Sequence, residues 1–233
     1  MKDEGKNETT TADIVIRKNE SLPALDFGWL KLKDHFIATV GPNAGAGEPL
    51  KNLLVIADAT LQPQTSFSKH PHMNMEVLTW IVKGTLHHQD DKAPDQYVPA
   101  KSLQMMSARD GIFHAEGNAA NEELRLLQIW VRPAVKGGEP EIKTVKLEGK
   151  GFQLLAGPEN APLVVRQKLW LYAADLAGAE DLKIAEGKFG YAVFLADMKI
   201  NDVKVSDGDA VMLNAGHYLI EGRGQIIVIE QPR

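Results

Sequence analysis

The stretch HPHMNMEVLTWIVKGT, residues 70 to 85, places two histidines either side of a proline and then runs into an apolar, β-branched segment. Residues two apart on a strand point to the same face, so His70 and His72 project together while Pro71 points away. Proline donates no hydrogen bond to a sheet, which is tolerated at the start or edge of a strand. Glu76 keeps the parity of the two histidines. The pattern predicts a strand start that presents two imidazoles on one face.

A second segment, GIFHAEGN at residues 111 to 118, repeats this arrangement with His114 and Glu116 two apart. One His-x-His alone is often surface histidine. Two such pairs on separate strands can converge inside a barrel, where burying them is costly unless a cation satisfies them. The sequence therefore predicts a metal site built from three imidazoles and one carboxylate.

The donor types restrict the metal. The chain has no cysteine, so disulfides and thiolate ligands are excluded. Imidazole and carboxylate suit Fe, Mn, Ni, Co, Cu and Zn. Four protein ligands on an octahedral ion leave two open positions, which an oxygenase needs for its substrate and for O₂. A structural zinc site is usually closed and rich in cysteine.

The rest of the chain predicts an all-β fold with little helix. Short apolar runs are separated by Gly, Pro, Asn and Asp at the spacing of a barrel or sandwich, and no window keeps a helical period. The segment RPAVKGGEPEIK, residues 132 to 143, has the composition of a connection between compact units. We expect a disordered polar tail over 1–12, a metal-binding barrel over 13–135 and a second barrel over 136–233.

Composition excludes several classes of function. The formal net charge of −5 is not concentrated in one region, so direct binding of nucleic acid or of an anionic membrane is not expected. No apolar run approaches the ~18 residues of a membrane span. The N-terminal segment MKDEGKNETTT lacks the apolar core of a secretory signal. These features predict a cytoplasmic protein.

At these residues the chain resembles the pirin family of the cupin superfamily. The family motifs read approximately HPH-x-x-x-E and GI-x-H-S/A-E-x-N, and residues 70–76 and 111–118 match them. Between them, His88-Gln89-Asp90 resembles the family's H-Q/R-D. The resemblance implies a bicupin, two stacked β-barrels of which only the first carries metal. His70, His72, His114 and Glu116 then fall on the metal ligands, and His217, the lone histidine of the second half, does not.

Some positions depart from the family pattern. The broader superfamily has glycine six positions before the first histidine, where this chain has Gln64, and the family's glycine before the second motif is Arg109. The loop PNAGAGEPL, residues 42 to 50, replaces a stretch that is normally aromatic. The residues Met73-Asn74-Met75 replace the Arg-Gly-Phe of animal pirins. This chain is therefore more similar to the bacterial, quercetinase-like members.

The resemblance implies a flavonol dioxygenase that opens the ring of quercetin-like substrates with release of CO. It would use one divalent transition metal, with Fe²⁺ expected and Zn, Mn, Ni, Co or Cu compatible with the ligands. Glu116, or else Glu76, would take the proton of the substrate's 3-hydroxyl. Glu76 could instead orient a histidine or be an exposed strand charge. Gln128 is a candidate for the pocket lining, and the apolar candidates are Met73, Met75, Met105, Met106, Phe113 and Trp130.

Two other functions remain open. One is a non-catalytic, metal-bearing regulator that acts through a protein partner, by analogy with animal pirins. The other is a metal-dependent isomerase of a small metabolite. Fold-level likeness does not decide between them. O₂ consumption with CO release separates the oxygenase, whose partners would be O₂ and a small aromatic substrate, from both. The oligomeric state is also open.

Overall fold

The computed structural model describes residues 14–36 and 48–233, so the expected tail over 1–12 and most of the loop at 42–50 lie outside the described residues. Within those two ranges the chain forms strands and one 3₁₀ turn, Asn19–Ser21, and contains no α-helix. No helix in this part of the chain is long and apolar enough to cross a membrane. The expected all-β class with little helix is confirmed.

The strands of the first half are β1 Val15–Arg17, β2 Ala24–Asp26, β3 Leu30–Asp34, β4 Leu53–Leu61, β5 Thr65–Ser66, β6 His70–His72, β7 Glu76–Lys83, β8 Thr85–Asp90, β9 Gln96–Pro99, β10 Ser102–Ser107, β11 Ile112–Asn118 and β12 Leu124–Val131. Those of the second half are β13 Glu141–Lys146, β14 Gln153–Gly157, β15 Leu163–Val164, β16 Trp170–Leu176, β17 Ala179–Ile184, β18 Lys188–Phe194, β19 Met198–Ile200, β20 Val203–Val205, β21 Ala210–Leu213, β22 Gly216–Gly222 and β23 Gly224–Pro232.

The strands make two barrels of two sheets each, which confirms the expected bicupin. In the first barrel, a seven-stranded sheet of order β13-β10-β7-β12-β4-β3-β2 packs on a smaller sheet of order β5-β11-β8-β9, with β6 added to β11. In the second, the order β1-β21-β18-β23-β16-β14-β15 packs on β17-β22-β19-β20. The small sheet of the first barrel carries both histidine motifs, which therefore lie on neighbouring strands.

The two seven-stranded sheets pack against each other and join the barrels. Their common core contains Leu53, Trp80 and Leu103 from the first barrel and Leu171 and Ile229 from the second. Burial explains the strand patterns. β4 is buried along almost its whole length because one of its faces lines the first barrel and the other contacts the second, whereas β17 alternates between exposed and buried residues.

Two edge strands cross between the halves of the chain. Val15–Arg17 pairs with Ala210–Met212 in the large sheet of the second barrel, and Glu141–Lys146 pairs with Ser102–Ser107 in the large sheet of the first. Sheet membership therefore does not follow the sequence division that we placed between residues 135 and 136. The first sheet extends beyond that division, and it does not include the strand at 15–17.

Candidate metal centre

The short strand His70–His72 pairs antiparallel with the strand of the second motif, with His70 opposite His114 and His72 opposite Ile112. Pro71 lies opposite Phe113 and is exposed, as expected for a proline at the edge of a sheet. The ring centroids of His70 and His114 are 4.4 Å apart, and those of His72 and His114 are 5.0 Å apart. The structure thus brings the three predicted imidazoles together.

These three histidines offer ligand atoms that all lie within 4.8 Å of one another. The Nδ1 atom of His70 is 2.8 Å from the carbonyl oxygen of Ser68. That hydrogen bond places the proton on Nδ1 and leaves Nε2 available to a metal, as is usual for ligating histidines.

Glu116 lies beside His114, but it belongs to a second set of donors. The residues of this set are His88, His114 and Glu116, and their ligand atoms also lie within 4.8 Å of one another. The set is possible because β8 pairs with β11 so that His88 lies opposite Glu116 and Asp90 lies opposite His114. Sequence reasoning noted His88 only as part of a motif. The signal that could have found it is its spacing of two residues from Asp90.

Burial favours the neutral form of two of these imidazoles, those of His72 and His114. Desolvation, followed by the charges of the neighbouring His70, His88 and His72, lowers the pKa of His114 to about 2. Desolvation, followed by the charge of His70, lowers the pKa of His72 to about 4. Neutral imidazole is the form that binds metal. His72 and His114 are therefore in the form that binds a cation at neutral pH.

Unsatisfied buried atoms show that a cation fits here. Both ring nitrogens of His114 and Nδ1 of His88 are buried without a hydrogen-bond partner, whereas Nε2 of His88 lies 3.2 Å from Oδ2 of Asp90. Buried polar groups are almost always hydrogen-bonded, because an unpaired one costs about 1 to 3 kcal/mol. A divalent ion among these donors would remove that cost, so the residues present fit a metal.

Glu116 is held from the facing sheet. Gln128 Nε2 donates to Glu116 Oε1, and Trp130 Nε1 donates to Gln128 Oε1 at 3.0 Å. The indole thereby fixes the amide with its NH₂ group toward the carboxylate. Burial raises the pKa of Glu116, while the hydrogen bond from Gln128 and the charge of His70 act in the opposite direction. Oε1 is occupied, which leaves Oε2 for a metal or for a proton.

A cavity of about 220 Å³ opens beside these groups. Its polar lining comes from Ser68, His70, Glu116 and Gln128, and its apolar lining from Leu32, Ala57, Ala59, Phe67, Leu126 and Trp130. Two pocket candidates from the sequence, Gln128 and Trp130, line this cavity. Of the other candidates, Met105 and Met106 are buried in the core, Met75 packs against it, and Met73 and Phe113 are exposed.

Glu76 lies apart from both donor sets. It is 1 % exposed at the start of β7, so it is not the exposed strand charge that the sequence left open. Ser107 Oγ donates to its Oε1 at 2.8 Å, and its Oε2 is buried without a partner. Burial raises its pKa, although the hydrogen bond from Ser107 and the charges of Arg166 and Arg109 oppose the rise. In the second barrel, His217 is exposed on β22.

Comparison with known proteins identifies the family. The pirin family model matches residues 16–131. The chain is 34% identical over 209 residues to a quercetin 2,3-dioxygenase of Escherichia coli strain K12, an alignment that covers 86% of this chain and 89% of the relative. It is 33% identical over 202 residues to a pirin-like protein of Caulobacter vibrioides, covering 82% and 86% of the two chains.

A solved structure agrees in fold as well as in sequence. The bacterial pirin YhhW of Escherichia coli, in complex with nickel(II), superposes with a TM-score of 0.81 at 30% identity. The superposition covers 94% of this chain and 99% of YhhW. Since likeness of this extent in sequence and fold includes both histidine motifs, the chain is a member of the pirin family.

Proposed function

We propose that this protein is a metal-dependent dioxygenase of the quercetin 2,3-dioxygenase type, which opens a flavonol ring and releases CO. The observation that carries the proposal is the mostly apolar cavity that His70, Glu116 and Gln128 also line. Sites for small aromatic ligands are mostly apolar, with a few polar groups that fix orientation. The names of its relatives, among them the Escherichia coli quercetin 2,3-dioxygenase, support the same reaction.

His70, His72, His114 and Glu116 would hold one divalent transition metal, and Fe²⁺ is the form that we expect for O₂ chemistry. Nickel(II) in YhhW supports a first-row ion of this kind. When bound, such an ion supplies Lewis acidity that lowers the pKa of a coordinating hydroxyl, together with a centre at which O₂ can react.

The side chains of the cavity bind and orient the substrate. Phe67 and Trp130 offer aromatic faces to a flat ring system. The small side chains Ala57 and Ala59 on the facing strand leave room for it. The polar end of the cavity would then receive the edge of the flavonol that carries the 3-hydroxyl and the carbonyl. Because most of the wall is apolar, a bound ring would also exclude water from Glu116.

Glu116 would accept the proton of the 3-hydroxyl at Oε2, the oxygen that it would then no longer offer to the metal, since Gln128 occupies Oε1. Its burial raises its pKa and so makes it a stronger base than an exposed carboxylate. We assign this role to Glu116 in preference to Glu76, because Glu76 belongs to neither donor set and does not line the cavity. Glu76 instead connects β7 to Ser107 on the neighbouring strand.

The test is turnover of quercetin by the iron-loaded protein, with O₂ uptake and CO release measured together. We expect one CO per O₂ consumed. Glu116→Gln keeps the shape of the side chain but removes the base, and should lower kcat by about 10² to 10⁴-fold. His217→Ala, a substitution on the exposed face of the second barrel, should leave kcat unchanged.

O₂ uptake without CO, or no uptake by fully loaded protein, would contradict the assignment. Turnover of a small metabolite without O₂ would point to the isomerase. Metal binding without any turnover, together with specific capture of a protein partner, would point to the regulator.

A further inference from the structure

The unsatisfied polar atoms of the first barrel extend beyond the four ligands that the family resemblance assigns. Nδ1 of His88 is buried without a hydrogen-bond partner, whereas its Nε2 lies 3.2 Å from Oδ2 of Asp90. His88 is 1 % exposed, and the side chain of Asp90 is fully buried. A single ion bound to His70, His72, His114 and Glu116 would leave Nδ1 of His88 unsatisfied. Its position favours a ligand of its own.

Strand register places His88 where it can share ligands with the first donor set. On the inner face of the small sheet, His88 lies opposite Glu116, and Asp90 lies opposite His114. The ring centroids of His88 and His114 are 5.1 Å apart. One ligand atom from each of His88, His114 and Glu116 falls within 4.8 Å of the other two. Two three-donor sets therefore overlap at His114.

Asp90 holds His88 in this place. The backbone N–H groups of Lys92 and Ala93 donate to Asp90 Oδ1 at 2.6 and 2.8 Å, which fixes the carboxylate at the end of β8. Its other oxygen, Oδ2, lies 3.2 Å from Nε2 of His88. A carboxylate beside a ligating histidine sets the orientation of the ring and raises its strength as a ligand.

We propose that the barrel has a second, inner cation position, formed by His88, His114 and Glu116 and supported by Asp90. The outer position uses His70, His72 and His114, with Glu116 as the carboxylate ligand. Because His114 and Glu116 belong to both, the two positions are alternatives for one ion. Neutral imidazoles with a carboxylate suit the same first-row divalent ions as the outer position. The proposal concerns cation binding alone, so it holds whether or not the protein oxidises flavonols.

The two positions make separable predictions for metal binding. In the His70→Ala, His72→Ala double variant the inner donors are intact, so the protein should still bind one equivalent of cation, more weakly than the wild type. Adding His88→Ala to that background should lower the remaining affinity by about tenfold or more. The matched control is His87→Ala in the same background. His87 is the neighbouring histidine on the same strand, but its ring stacks on Tyr97 at 4.7 Å and it contacts Asp95 on the other face.

The experiment is a titration of metal-free protein with Co²⁺, followed by calorimetry and by the visible absorption of the bound ion. Circular dichroism verifies that each variant is folded, and His88→Gln, which keeps a hydrogen-bonding side chain of similar length, replaces His88→Ala if that variant is unfolded. The expected result is residual binding that His88 substitutions remove and His87→Ala does not. Equal Co²⁺ affinity and spectra in the double variant with and without His88 would overturn the proposal.

Discussion

Gln128 lies between the Trp130 indole and the Glu116 carboxylate and forms a hydrogen bond with each. Its amide accepts a hydrogen bond from Trp130 and donates one to Glu116, and the Trp130 ring lies 5.0 Å from that of His72. A single side chain thus decides which oxygen of Glu116 is free. Because a hydrogen bond to the ionised form favours ionisation, Gln128 also limits the rise that burial causes in the pKa of Glu116.

Gln128→Leu should therefore weaken metal binding, and more strongly at acidic pH. Without the donor, the pKa of Glu116 rises further, so protons compete with the cation up to a higher pH. We expect about a 10- to 100-fold loss of Co²⁺ affinity, measured by calorimetry across a pH series. Gln89→Leu, an exposed glutamine on β8, is the control and should have no effect. Unchanged affinity in Gln128→Leu would show that this amide does not position Glu116.

His35 gives the chain an acid sensitivity that does not involve the metal centre. It is fully buried, its Nδ1 lies 2.8 Å from the hydroxyl of Tyr191 in the second barrel, and burial lowers its pKa from 6.5 to about 3. Between pH 6.5 and 3 the unfolded chain binds a proton at this residue and the folded chain does not. Stability contributed by neutral His35 is therefore complete above about pH 6.5 and is lost as the pH falls.

We expect this residue alone to reduce the free energy of unfolding by about 1 kcal/mol per pH unit below pH 6.5. His35→Gln should show a shallower dependence in urea unfolding at pH 7, 6 and 5, whereas His217→Gln, at an exposed position, should follow the wild type. Parallel curves for wild type and His35→Gln would contradict the assignment.

At the residue scale, motif spacing was the basis of the prediction. The spacing of two predicted that His70, His72 and His114 converge, and the structure brings them together. For His88, the spacing of two residues from Asp90 indicates only a shared strand face, and the pairing of β8 with β11 is what places its ring beside His114. Gln64 and Arg109 stand where the family pattern has glycine, and the backbone explains why glycine is favoured there. Both residues have positive φ, 58° and 40°, a conformation in which glycine is the least strained residue.

At the scale of elements, the site depends on the close approach of two strands. β5 pairs with the end of β11, with Ser66 opposite Gly117, just before the chain reaches β6 and its histidines. A Cβ on Gly117 would lie 2.4 Å from Cβ of Ser66 and 2.5 Å from its Cα. These are backbone-proximal atoms that cannot rotate away, so only glycine permits this pairing.

Gly117→Ala should push β5 away from β11 and displace the strand that carries His70 and His72. Overpacking of this kind costs about 1 to 3 kcal/mol, and we expect a loss of that size in the free energy of unfolding together with weaker Co²⁺ binding. Gly178→Ala is the matched control, since a Cβ there meets no atom within 4 Å. Equal stability of the two variants would show that β5 accommodates the methyl group without cost.

The sequence predicted that these segments are strands, but it did not predict how the strands pair. Short apolar runs between turn residues indicated strands, and the structure has strands in these segments. The strand 70–72 has three residues and a single neighbour among the described strands, so no periodicity could have fixed its partner. Its register comes from tertiary pairing with β11, which local sequence does not encode.

At the scale of the molecule, the barrels are joined by an apolar core and by charged contacts. Arg125 donates to both carboxylate oxygens of Asp58 in the first barrel, at 3.0 and 2.7 Å, and at 2.8 Å to Asp207 in the second. Trp80 Nε1 donates to Gln225 at 2.9 Å across the same junction. The composition of residues 132–143 indicated a connection, but it could not reveal that the strand 141–146 returns to the first sheet.

We expect the full chain to unfold in one cooperative transition, because both barrels share a core. A fragment of residues 1–135 should not fold stably, since it lacks β13 and exposes the face that contains Leu53 and Trp80. Calorimetry of the full chain, and circular dichroism with dye binding on the fragment, provide the measurements. A fragment with its own cooperative melting transition would contradict this prediction.

The exchange of edge strands has a consequence for engineering. A minimal, single-barrel protein derived from this chain would need Glu141–Lys146, which completes the large sheet of the first barrel, and could omit Val15–Arg17, which belongs to the other barrel. It would also need polar substitutions on the face of its large sheet that the second barrel covers in the full chain, the face that contains Leu53 and Trp80. Truncation between residues 135 and 136 would remove Glu141–Lys146, which the first barrel uses, and would keep Val15–Arg17, which it does not use.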